Sequence, residues 1–79
     1  MKQSTESTLR EIFWAVLNLP SGTDLTNTSP ATLPEWDSLA HALLITAIES
    51  EFGLQIDPAE SLDLTSYHAA TVLLEARNL

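Results

Sequence analysis

Apolar residues recur at helical spacing in three stretches of this chain, separated by polar segments rich in Pro, Ser and Thr. In the first stretch, Leu9, Ile12, Phe13, Val16 and Leu17 fall at i, i+3, i+4, i+7 and i+8, one stripe of a helix expected over Ser4 to about Asn18. Trp14 lies off that stripe and is expected to lie under a neighbouring loop. From Leu19 to Trp36 the chain carries Pro20, Gly22, Pro30 and Pro34 among short polar residues, which breaks periodicity and predicts a long loop. Asp24 to Asn27 has the composition of a single helical turn, and Leu25, Leu33 and Trp36 are the side chains able to tie the loop down.

The second helix is expected over Ser38 to about Phe52, with Asp37 as N-cap and Gly53 as the residue that ends it. Leu44, Ile45, Ile48 and Phe52 cluster on one side of that helix, with His41 at the same azimuth. Pro58 suits the first position of a short third helix over Ala59 to Leu62. The last helix is expected from Thr65 or Ser66 to about Arg77, burying Tyr67, Ala70, Leu73 and Leu74 and exposing His68, Thr71 and Glu75. No segment alternates with period two. The prediction is an all-α fold, a small bundle of three main helices plus one short one, in a single domain over residues 1–79.

Charge narrows the partners. Lys2, Arg10 and Arg77 are the only basic residues, and ten carboxylates occupy the interval between the two arginines. The formal net charge of −8 and the absence of any Lys/Arg cluster exclude a phosphate-tracking nucleic-acid binder and an anionic-lipid binder. A partner with a basic docking patch is favoured instead. There is no cysteine, hence no disulfide framework and no Cys-based nucleophile or metal site. The N-terminus lacks an apolar signal region and no apolar run is long enough to span a bilayer, so the chain reads as a complete, cytoplasmic, monomeric protein.

One short stretch carries candidate chemistry. Asp37-Ser38-Leu39 opens the second helix, where unpaired backbone N–H groups and the positive end of the helix dipole stabilise a phosphate. This stretch resembles the phosphopantetheine attachment motif of acyl carrier proteins. The likeness extends along nearly the whole chain: a long first helix, a long loop, the serine, a short third helix and a fourth. It includes Glu49-Ser50-Glu51-Phe52-Gly53, Ile56, Thr65 and Ala69-Ala70.

The resemblance implies that a phosphopantetheinyl transferase attaches a 4'-phosphopantetheine arm to Ser38, and that the chain carries acyl or related groups as thioesters without itself being an enzyme. A loading ligase and downstream transferases or synthases are then its partners. It further implies contacts to the arm from Asp37, Leu39 and His41, and a partner surface at Glu35, Trp36, Ala42, Leu43 and Glu49. An acyl cleft is expected among Leu44, Ile45, Ile48, Ile56, Leu62 and Ala70, all of which suit an ordinary core equally well.

Members serving fatty acid synthesis usually carry acids on the exposed face just after the serine. Ala40 and Leu43 stand there in this chain, which points to a specialised pathway. Peptidyl or aminoacyl carriage is the alternative within the class, and an unmodified acidic interaction module the alternative outside it. Asp37, Ser38 and His41 also invite a hydrolase reading, which requires a base held against the hydroxyl and a third group orienting that base. His41 suits two roles, a phosphate or cleft-mouth contact and a partly buried histidine with a hydrogen-bond partner.

Overall fold

The computed structural model describes all residues, 1–79, and contains four helices and no strand. They are α1 (Gln3–Val16), α2 (Ser38–Phe52), α3 (Pro58–Asp63) and α4 (Tyr67–Ala76). The all-α bundle expected from periodicity is therefore the fold, and no helix is long and apolar enough to cross a membrane.

Three of the four helix starts follow side-chain capping, and α1, which begins after Lys2, has no side-chain cap. Asp37 accepts from the Ala40 N–H at 2.8 Å, Asp57 and Glu60 form a reciprocal capping box with Pro58 at the first position, and Ser66 accepts from the Ala69 N–H at 2.9 Å. Three stops share one device, a residue in the left-handed region whose successor returns an N–H to a carbonyl five residues back. Asn18 (φ 56°) sends Leu19 N–H to Trp14 O at 2.8 Å, and Gly53 (φ 63°) sends Leu54 N–H to Glu49 O at 3.2 Å. Asn78 (φ 65°) sends Leu79 N–H to Leu74 O at 3.0 Å. Asn tolerates this conformation better than any residue but Gly, so α1 ends at Val16 rather than at Asn18 itself.

Leu9 and Phe13 of α1 with Leu17 just after it, Leu44 and Ile48 of α2, Leu64, and Ala70 and Leu74 of α4 are sealed from solvent and form the centre of the core. Phe13 is the hub, meeting Trp36 edge-on at 5.7 Å and Tyr67 edge-on at 5.2 Å between ring centroids. The long loop is held from inside. Leu25 and Trp36 are buried, Leu33 packs against the core, and the Trp14 indole donates to Thr23 O at 2.9 Å, so Trp14 does lie under the loop. Asp24 to Asn27 is not a helical turn. The Asp24 carboxylate captures the Thr26 N–H at 2.9 Å, and Thr28 N–H closes a turn on Leu25 O at 3.2 Å.

α3 contributes no buried residue of its own. It is anchored at its two flanks by Ile56 and Leu64, and by polar contacts: Arg77 Nη2 donates to both carboxylate oxygens of Glu60 (2.8 and 2.7 Å) and Nη1 donates to Gln55 O at 2.9 Å. Because Arg10 pairs with Glu6 on α1, both arginines are spent inside the molecule and most of the carboxylates are left to set the surface field.

Candidate functional site

Ser38 is the first residue of α2 and is exposed. The Asp37 carboxylate takes the Ala40 N–H, and the first intrahelical bond runs from His41 N–H to Asp37 O at 2.9 Å. The amides of Ser38 and Leu39 therefore precede the helical ladder and have no backbone partner. An exposed hydroxyl, two free N–H donors and the positive end of a 15-residue helix converge at one point.

Behind the hydroxyl stands a fixed aromatic pair. The Trp36 indole N–H donates to His41 Nδ1 at 3.0 Å, and the two rings are near-parallel, 22° apart in plane with centroids 6.1 Å apart. An indole nitrogen can only donate, so Nδ1 is unprotonated and the neutral ring carries its proton on Nε2. That proton is given to Ser61 O at 2.9 Å, with Ser61 Oγ at 3.2 Å. His41 thus joins the end of the long loop, the start of α2 and the body of α3. The Ser38 hydroxyl itself makes no hydrogen bond to His41 or Asp37; both imidazole nitrogens are engaged elsewhere, and Asp37 Oδ1 takes the Ala40 N–H.

Several residues expected at the site take other positions. Trp36 is not a partner surface: it is 3% exposed, because its ring completes the aromatic cluster on Phe13 and its N–H is consumed by His41. Leu62 is not part of an interior cleft: it is 78% exposed, since α3 turns Ser61 and Glu60 towards the body and Leu64 takes the buried place. Ala40 is buried under the core rather than exposed after the serine, whereas Leu43 is exposed. Glu49 is half-buried and its carboxylate accepts the Ile56 N–H at 2.8 Å, which fastens the turn after α2 instead of facing a partner. Glu35, Leu39 and Ala42 are exposed as expected. Leu44, Ile48, Ile56 and Ala70 are core residues, Ile45 packs against them, and no cavity opens among them.

The Ser61 partner of His41, the Arg77–Glu60 pair and the Leu64 anchor were not anticipated. Only the capping-box pattern Asp57-Pro58-Ala59-Glu60 signalled that α3 has a defined orientation. The surface of α2 turned away from the core presents Leu39, Ala42, Leu43, Thr46 and Ser50, an uncharged strip on a strongly anionic molecule. Comparison with family models, with curated proteins and with solved structures found no match.

Proposed function

We propose that this chain is a discrete carrier protein that holds acyl or related intermediates as thioesters on a 4'-phosphopantetheine arm attached to Ser38. The observation that carries the reading is the exposed Ser38 hydroxyl at the mouth of α2, beside two backbone N–H groups without partners. The residues fit such a group. The Ser38 and Leu39 amides suit phosphodiester oxygens, and the Asp37 cap holds the helix start rigid without occupying those amides.

Attachment requires the Ser38 hydroxyl to attack the β-phosphorus of coenzyme A. The new bond is Ser38 Oγ–P, the bond broken leads to adenosine 3',5'-bisphosphate, and the hydroxyl proton passes to a base on the transferase. The arm supplies a terminal thiol, which the chain itself lacks. The role of this chain's own residues is presentation: α2 fixes the attachment point, and the anionic surface favours enzymes with basic docking patches. The chain then acts as a monomer in the cytoplasm, among a phosphopantetheinyl transferase, an acyl- or aminoacyl-loading ligase and downstream transferases or synthases. The uncharged strip at Leu39 and Leu43 favours a specialised pathway over fatty acid synthesis.

Ester hydrolysis by Asp37, Ser38 and His41 lacks its base, since His41 Nδ1 accepts from Trp36 and Nε2 faces Ser61. The test is intact-protein mass spectrometry after incubation with a broad-specificity phosphopantetheinyl transferase, magnesium and coenzyme A. The expected result is the gain of one phosphopantetheinyl group in the wild type and none in Ser38→Ala. A wild-type protein that gains no mass is an unmodified acidic interaction module.

A further inference from the structure

Beside the Ser38 hydroxyl, on the loop side of α2, lies a depression of about 260 Å³ lined by Pro30, Trp36, Asp37, Ser38 and His41. Its walls are almost wholly apolar although an indole, an imidazole and a carboxylate contribute to them. The hydrogen bonds explain why. The indole N–H and imidazole Nδ1 are spent on each other and Nε2 on Ser61, so the rings offer mainly carbon to the depression, while Asp37 Oδ1 is turned to the Ala40 N–H. Pro30 is exposed and adds a rigid aliphatic wall. On the other flank of His41, Nε2–H bonds Ser61 O and ties α3 to the start of α2.

Ser38 is one of the residues lining this depression, so a group ester-linked to its Oγ starts beside it. Resting on the carrier reading above, we propose that the shelf of Pro30, His41 and the rim of Trp36 receives the branched hydrocarbon segment of the pantetheine arm. That segment, a quaternary carbon bearing two methyl groups, follows the phosphate after one methylene, so it is the first apolar part of the arm to leave the helix mouth. A free ligand gains little from so shallow a site. A tethered one is present at millimolar or higher effective concentration, on the order expected for a short linker, and needs only a weak preference to dwell there. The shelf thus parks the arm over the loop and away from the uncharged strip of α2, leaving Leu39 and Leu43 clear for a partner.

The experiment is carbon-edited NMR of wild-type protein loaded from coenzyme A carrying labelled methyl groups, with loading first verified by mass. The expected result is two inequivalent methyl resonances shifted upfield of those in coenzyme A, with Overhauser contacts to His41 ring protons and Pro30. In His41→Asn, which retains an acceptor for Trp36 but removes the imidazole, the upfield shift is smaller than in the wild type. Methyl signals of the loaded wild type at their coenzyme A positions, without contacts to these residues, overturn the shelf and leave the carrier reading standing. An upfield shift undiminished in His41→Asn overturns it equally. Failure of the wild type to load overturns both.

Discussion

Replacing His41 by alanine removes the imidazole that accepts the Trp36 N–H and donates to Ser61. The two losses are unequal. Trp36 is 3% exposed, so its indole N–H is stranded away from water, at a cost of about 1–3 kcal/mol. Ser61 is half-buried and its carbonyl can be rehydrated, so that bond contributes only about 0.5–1 kcal/mol. Alanine's better helix propensity offsets about 0.5 kcal/mol. The net expectation is a loss of about 1–3 kcal/mol, or roughly 4–8 °C in Tm for each kcal/mol in a domain of this size.

Two further variants separate the bonds. Asparagine places an oxygen near the position of Nδ1 and keeps the Trp36 acceptor, whereas glutamine reaches towards Ser61 and leaves Trp36 unpaired. Because the stranded N–H dominates, His41→Asn should retain more stability than His41→Gln, and His41→Gln at least as much as His41→Ala. Urea denaturation with unchanged m-values measures the ranking, and the Trp36 indole N–H resonance reports directly on its acceptor. A His41→Ala variant within about 0.5 kcal/mol of wild type, or glutamine outperforming asparagine, refutes the reasoning.

Other perturbations address the cap, the short helix, the loop and the surface charge. Asp37→Ala should cost about 1 kcal/mol through loss of the α2 N-cap, read by chemical denaturation, with no change in the Ser38 hydroxyl itself. Leu62→Ala should fall within about 0.5 kcal/mol of wild type, whereas Leu64→Ala, two residues on and buried, should lose about 2–5 kcal/mol. The Thr26 hydroxyl, and then the Thr26 N–H, hold the Asp24 carboxyl below its ordinary pKa. Its contribution to stability is therefore present above the ordinary carboxylate value and is lost as the pH falls through the lowered one. A carbon-detected titration should show Asp24 moving back up in Thr26→Val, and an unmoved titration contradicts the assignment. With a formal charge of −8 and both arginines internally paired, added salt should raise the melting temperature, and a flat salt titration denies surface repulsion a role.

By itself the sequence determined where α2, α3 and α4 begin and what lies at the start of α2. Asp37, Asp57 with Pro58 and Glu60, and Ser66 act through contacts three residues away, and a local cause leaves a local signature. The stripe Leu9, Phe13, Leu17 is legible for the same reason, since helical periodicity over four turns selects one face. Even the stops at Asn18 and Asn78 were present in local chemistry, although a polar Asn reads as readily as a surface residue. Tertiary structure alone decided which of these groups meet. A helix of six residues is too short for periodicity to assign a face, so the opposite fates of Leu62 and Leu64 depended on how its flanks anchor to the core. Trp36 had two expected places, a tie for the long loop and a partner surface beside the serine, until Phe13, 23 positions earlier in the chain, supplied the ring that buries it. His41 suited two roles until Ser61, 20 residues later, came within hydrogen-bonding distance and its carbonyl accepted the Nε2–H. Caps depend on a few backbone dihedrals, whereas these partnerships depend on the packing of the whole bundle, which no local window of sequence contains.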